Sequence, residues 1–405
     1  MKPRIPTIMY HSIGVTNYQW HWNFLTCPYE VFENQLKWLK KFNYYTANFQ
    51  EVYDYIMRDK PLPKNTVFLN FDDGYLDNYV YAYPLLKKFG MKGTVFVNPD
   101  FVDKSTGLRK TMNDAKTEAE LKDLPSIGFC NWDELKKMDS EGIIEAQSHA
   151  KTHTWYPVSD KILDFRHPGD DYIWMDWNEY PDEKPLLQIT NPKKVKLGKA
   201  IFEHEKAMSS KRVTINENFQ NELNTFVMSN GNEDFFKSPS WKNTLKEYSE
   251  RLKKKYVVVK HEETDNEYYE RVKYELGFTK LELEKKLNKE VLFLCWPGGS
   301  ATKMGMKIAT ELGYLMSTAA RDLSNEERKK IVNTPDYKIN RISRFTPVLY
   351  NNWQSKQTGR IKYSPGWFFI LQLTKFQNKY GAKYWGKLVV ATIIKFAKFN
   401  DKKNK

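Results

Sequence analysis

Thr66-Val67-Phe68-Leu69-Asn70-Phe71-Asp72-Asp73-Gly74 is an apolar run that ends abruptly in two carboxylates and a glycine. A run this short and this apolar suits a parallel strand buried on both faces. The carboxylates then lie just past its C-terminal end. Farther along, Ser148-His149-Ala150-Lys151-Thr152-His153 presents two imidazoles four residues apart, a spacing that lets both rings face one point from a helical turn or a tight loop. One Asp and two His are donors of the kind that hold a catalytic divalent zinc and leave a coordination position open for water. The second carboxylate is then free to act as a base.

Working outward, strand and helix signals alternate. Residues 28–41 place Phe32, Leu36 and Leu39 on one helical face, with Pro28 suited to a first turn. The run 67–71 is followed by a helix carrying Ala82, Leu85, Leu86 and Phe89 and closed by Gly90. Residues 94–97 read as the next strand. Asn131 with Glu134 forms a capping box for a helix bearing Trp132, Leu135 and Met138, and residues 143–146 read as another strand. Repeated strand and helix units predict an α/β fold, a barrel or an open sheet. Asp72 and Asp73, His149 and His153, and Trp296-Pro297-Gly298-Gly299 all fall just after predicted strands, the last after 291–295. In a (β/α) barrel those ends share one rim.

The chain has 405 residues, a formal charge of +14, 40% hydrophobic and 15% aromatic residues, which allows one large domain with an insertion or two domains. Cys27, Cys130 and Cys295 are odd in number and far apart, with no metal-type Cys pair, and argue for a reducing compartment. Residues 1–6 lack the apolar core and cleavage site of a secretory signal, so a cytoplasmic protein is expected. Nucleic acid explains the charge poorly, because the excess sits in an apolar-rich tail and no binding motif accompanies it.

Asn70-Phe71-Asp72-Asp73-Gly74 resembles the first motif, and His149 to His153 the second motif, of the NodB-type polysaccharide deacetylases, carbohydrate esterase family four. Pro84-Leu85-Leu86-Lys87 and Gly93-Thr94-Val95-Phe96-Val97 are similar to the family between them. The resemblance implies a distorted (β/α) barrel over residues 1–153 and 291–350. It also implies a divalent metal, zinc by expectation, on Asp73, His149 and His153, and Asp72 as general base. The chain departs from the pattern elsewhere. Its third motif is reduced to Pro297-Gly298, so Arg341 is the candidate to orient the base. The late His that carries the general acid is absent, and His11 is the candidate replacement, with a core histidine bonded to backbone as the alternative. Gly74 and Gly298 are expected to offer backbone N–H groups to an oxyanion.

Residues 155–290 are expected to form an ordered, mainly helical insertion, with helices over 213–227 and 267–287. Trp174 and Trp177, set among carboxylates, are expected either to wall a glycan cleft or to pack the insertion internally. Residues 351–405 form an extension whose last part, from Lys375 to Lys405, carries nine Lys and one Asp. It reads as a basic amphipathic helix for an anionic membrane surface, or as a helical lid on the protein. The expected activity is hydrolysis of an N-acetyl group from an amino sugar in a saccharide or glycoconjugate. A related C–N hydrolase (deformylase or amidase) and a non-catalytic carbohydrate-binding protein are the rivals.

Overall fold

Apolar runs bounded by turn residues become short parallel strands. The structure, a computed structural model, describes residues 2–17, 20, 22–186, 196–319, 331, 333–336, 338–351 and 361–377. It divides into two units, one of Met1–Lys151, Phe278–Gly299 and Gly313–Lys405, the other of Thr152–Gly277 and Ser300–Leu312.

In the first unit eight strands of the described residues form one sheet: β1 (Thr7–Tyr10), β2 (Tyr45–Ala47), β3 (Thr66–Phe71), β4 (Gly93–Val97), β5 (Ile144–Ser148), β6 (Phe293–Leu294), β7 (Met316–Thr318) and β8 (Arg341–Ile342). Neighbours run β1, β3, β4, β5, β6, β7, β8, all parallel. Phe68 pairs with Thr7 of β1 and with Ala47 of β2, so these strands lie on opposite edges of β3, and β2 shares its edge with β4. The ring closes just beyond β8. Phe345 forms a parallel bridge to Ile8, donating its N–H to the Thr7 carbonyl at 3.0 Å and accepting the Met9 N–H at 2.9 Å. This is the expected distorted (β/α) barrel.

Side chains alternate along each strand, so one set fills the interior. Phe68, Phe96, Phe293, Met316 and Ile342 form a single buried cluster with Phe49, Val52 and Ile56 of the helix Phe49–Arg58. Phe49 stacks on Phe293 at 4.3 Å between centroids. Each such side chain contributes roughly 1.5–3 kcal/mol by leaving water. Helix starts follow local chemistry. Asn48 with Glu51, and Asn131 with Glu134, form reciprocal capping boxes. Gly90 ends the helix Tyr83–Phe89 in the left-handed conformation.

Beside its helices the second unit carries two antiparallel strand pairs that the sequence reading did not place. An eleven-residue strand, Trp155–Phe165, pairs antiparallel with Ala200–Lys206, and Val213–Ile215 pairs with Val259–Glu262. The expected helix over 213–227 is therefore a strand followed by the helix Glu217–Ser229, begun by Asn216, whose side chain accepts the Asn218 N–H. Phe165, Phe202, Phe219, Leu223, Leu245 and Leu252 form its own core. The helix Lys303–Glu311 belongs here and not with the barrel; Tyr269 donates to Glu311 at 2.6 Å.

Residues 351–377 are part of the first unit as far as they are described. The helix Gly366–Phe376 packs on the helix Tyr29–Lys41, and Gly366 lies so close to Trp38 that no side chain fits at that position. Gln35 donates to the Ser364 carbonyl at 2.7 Å. Most of the expected basic helix, residues 378–405, lies outside the described residues.

Asp77 ties the short strand Ser12–Gly14 to the turn after β3. Its buried carboxylate accepts from the Ser12 hydroxyl, and the backbone N–H groups of Ile13 and Asn78 favour its charged form. A Cβ on Gly14 would meet its Oδ2 at 2.8 Å, so that position must stay glycine. Burial pushes the Asp77 carboxyl up to about 7 against those bonds. A raised acid pKa means that stability is fully present below the unfolded value near 4 and is lost as pH climbs through about 7. Asp77→Asn, which cannot ionise, is expected to gain stability relative to the parent between pH 4 and 8, by up to about 4 kcal/mol. Calorimetric melting of both proteins across that range checks it, and parallel pH profiles would refute it.

Candidate active site

Every residue of the site follows a strand. Asp72 and Asp73 follow β3, His11 follows β1, His149 follows β5, Trp296 follows β6 and Arg344 follows β8. The backbone N–H of Asp72 donates to the Tyr10 carbonyl at 3.0 Å, which fixes where the strand ends. Asp73 (φ 73°) and Gly74 (φ 72°) then turn through the left-handed region, sending the two neighbouring carboxylates in different directions.

Asp73 faces the imidazoles. Its Oδ1 lies 3.2 Å from His149 Nε2, and one ligand atom from each of Asp73, His149 and His153 fits within 4.8 Å of the others. His149 Nδ1 lies 2.8 Å from the Cys295 carbonyl, an acceptor for its proton, so that on ion binding Nε2 is the nitrogen available as ligand; without an ion, and against burial, the neighbouring Asp73 carboxylate favours the protonated ring and raises its pKa. The turn between the histidines is held by Asn98, whose Nδ2 donates to the His149 and Ala150 carbonyls. The Ser148 hydroxyl accepts from Tyr314 at 2.9 Å. Ala150 and His153 also occupy the left-handed region, at φ 56° and 43°.

A second group, Asp72, His149 and Cys295, is equally close. Its chemistry is different, because His149 Nδ1 is engaged and both Asp72 oxygens are bound by Arg344, at 2.6 and 2.9 Å. One carboxylate and two imidazoles, that of His149 with its Nδ1 engaged, fit a divalent ion; the ion-paired Asp72 does not.

Asp72 is the second functional element. Burial pushes its carboxyl up, but the Arg344 guanidinium, with His149 and His11 beyond it, outweighs burial and holds it below the ordinary aspartate value. Arg344 Nη2 also reaches Cys295 Sγ at 3.1 Å. The residue on Asp72 is thus Arg344 and not the expected Arg341. Parity explains the difference. Ile342 points into the core, so Arg344, two residues on, points the same way at the rim, while Arg341 starts β8 on the alternate face. His11 Nε2 lies 4.0 Å from Asp72 Oδ2 and is partly exposed.

Sequence reasoning also passed over Tyr75. Its phenol is buried beside Asp73, and burial together with the Asp73 and Asp77 carboxylates raises its pKa well above the usual value. The ring is stacked on Phe129 and meets Trp20 edge-on. Its signal was the position next to the Asp-Asp-Gly turn. Gly298 adopts the left-handed conformation in the turn Pro297–Gly299 after β6. Trp174 and Trp177 are 7% and 3% exposed; the first packs on His204, the second on Trp155 with Lys184 Nζ 5.2 Å above it. Both rings are thus largely buried. All three cysteines are buried and unbridged.

Residues 59–195 match the family model described as polysaccharide deacetylase. A Bacillus subtilis (strain 168) protein named for polysaccharide deacetylation, YxkH, is 37% identical over 129 residues, covering 32% of this chain and 41% of that one. A poly-beta-1,6-N-acetyl-D-glucosamine N-deacetylase of Staphylococcus aureus (strain MRSA252) is 29% identical over 130 residues, covering 32% and 37%. The match therefore spans about two fifths of these curated relatives. Among solved structures, a de-N-acetylase from Aggregatibacter actinomycetemcomitans aligns with a TM-score of 0.50 at 15% identity, over 88% of this chain and 100% of that one, a likeness of fold.

The two overlapping groups differ in a measurable way. Zinc is expected to bind once per chain and to be lost from Asp73→Ala, His149→Ala and His153→Ala, while Cys295→Ser keeps affinity within about threefold, since its hydroxyl still accepts from Arg344. Titration of the metal-free variants against a chelating chromophore reads this. Loss of binding in Cys295→Ser alone would assign the other group.

Proposed function

We propose, from the match of residues 59–195 to the polysaccharide deacetylase model, that the chain is a metal-dependent hydrolase that removes the N-acetyl group from an amino sugar in a glycan or glycoconjugate. The observation that carries this reading is the pairing of roles at one rim: Asp73 and His149 in ligand geometry, and Asp72 clamped by Arg344 as a separate, ionised carboxylate. Relatives named for poly-β-1,6-N-acetyl-D-glucosamine direct the choice of substrate class to N-acetylglucosamine polymers.

A divalent ion, zinc by preference, held by Asp73, His149 and His153 would supply Lewis acidity at the acetyl carbonyl and make water more acidic. Asp72 then takes a proton from the attacking water as the oxygen bonds to the acetyl carbon. Arg344 holds both Asp72 oxygens, so the base keeps one orientation and its charge. The oxyanion that develops lies within the province of backbone N–H groups, with Gly74 and the Pro297-Gly298 turn as the donors we assign. When the C–N bond breaks, the sugar amine needs a proton. His11, 4.0 Å from Asp72, is the group assigned to deliver it, with the proton held by Asp72 as its source. Acetate and the free amine are the products.

We also assign the chain a peripheral place at an anionic membrane surface. Phe42 and Trp367 are 44% and 42% exposed, Trp38 stacks on Phe42 at 5.7 Å, and Lys41 Nζ sits 4.8 Å over Trp38. Aromatic rings beside exposed lysines suit the boundary between headgroups and acyl chains. Among the described residues no helix is long and apolar enough to cross a membrane.

Acetate release from N-acetylglucosamine oligomers tests the chemistry. Asp72→Asn is expected to lose at least about 100-fold in kcat while still binding zinc, and chelation to abolish turnover until zinc is restored. Arg344→Ala is expected to cost about 10- to 100-fold, and Arg341→Ala less than about threefold. Zinc-loaded protein that binds these sugars but turns over no faster than Asp72→Asn would leave only a binding role, and formate release would favour the related C–N hydrolase. Cosedimentation with phosphatidylglycerol vesicles tests the surface: binding at low salt, weakened by Phe42→Ser with Trp367→Ser, is expected. Equal recovery with neutral and anionic vesicles would refute it.

A further inference from the structure

Thr152, the residue directly before His153, has all its hydrogen-bonding groups taken by two side chains from distant parts of the sequence. Its N–H donates to Glu275 Oε2 at 3.0 Å and its hydroxyl to Glu275 Oε1 at 2.8 Å. Its carbonyl accepts from the Lys184 ammonium. Glu275 is 3% exposed and Lys184 1%. Burying a carboxylate and an ammonium is costly unless both are used in full, and here both converge on one residue. Lys184 in turn lies 5.2 Å above the buried ring of Trp177, whose face stabilises the cation.

The consequence is geometric. The Thr152 carbonyl and the His153 N–H share one peptide plane. Fixing the N–H, the hydroxyl and the carbonyl of Thr152 therefore fixes the direction in which the chain enters His153. That residue needs such support, since its φ of 43° is in a region that non-glycine residues rarely occupy. We propose that Glu275, with Lys184, is a positioning residue for His153: the pair sets the aim of one metal ligand without either side chain touching the ion. This rests on reading Asp73, His149 and His153 as the ligands. It gives Trp177 a task as well, as the seat of the lysine.

Zinc affinity of the full chain, measured by competition with a chelating chromophore, tests it, with melting temperature recorded for each variant. Thr152→Val, which removes only the hydroxyl bond, and Glu275→Gln are each expected to weaken zinc about 10- to 100-fold, and Thr152→Ser to restore it. The double variant Thr152→Val with Glu275→Gln is expected to lose little more than the worse single one, because both act on one contact. Lys184→Met is expected to weaken binding in the same sense. Folded variants that bind zinc within twofold of the parent would overturn the proposal, and if Glu275→Gln does not fold, Thr152→Val decides alone. A parent chain that binds no zinc would instead bring down the ligand reading, and this inference with it.

Discussion

Everything at the rim depends on where the barrel closes. Phe345 is joined to β1 by two backbone hydrogen bonds, and β1 in turn receives the Asp72 N–H on Tyr10. Arg344 and Asp72 are thus placed by the same strand from opposite sides, far apart in sequence but adjacent around the ring. Their bidentate pair is then a short, charge-assisted contact between groups already facing each other, which is the geometry in which a planar guanidinium is most useful. Burial pushes the Asp72 carboxyl toward its neutral form; the closed ring brings a permanent cation that outweighs it.

Two levels of order meet in the turn that carries the histidines. Cys295 and Asn98 hold His149 and its backbone, and Glu275 and Lys184 hold Thr152. Part of the specification thus lies one residue away from a ligand, in carbonyls, hydroxyls and amides.

The fold was legible where one interaction dominates. The 66–74 run is apolar on both faces and stops at charges, so strand and rim position followed together. The Asn131 and Glu134 cap and the Gly90 stop were readable because each is a local hydrogen-bonding device. Arg344 was missed because β8 is only two residues long and offers too little alternation to set parity before the core is seen. The strand Trp155–Phe165 was missed for a related reason. Its pairing with Ala200–Lys206 slips twice, between Pro157 and Ile162 and again before Asp164, which erases the period of two. The aromatic and acidic stretch 170–180 admitted two readings because composition reports what rings can do and not which face is covered. Glu275 and Lys184 carried no signal at all, since a charged residue in a long helix or loop is ordinarily solvated.

The left-handed backbone at Asp73 bears on how this lineage can drift. Asparagine is among the few residues at ease at such a φ, it is nearly isosteric with aspartate, and it lies one nucleotide away in the genetic code. A lineage could therefore exchange that side chain with the turn undisturbed and the barrel intact. Descendants that keep the cleft as a lectin-like receptor would be reached through folded, viable ancestors at every step.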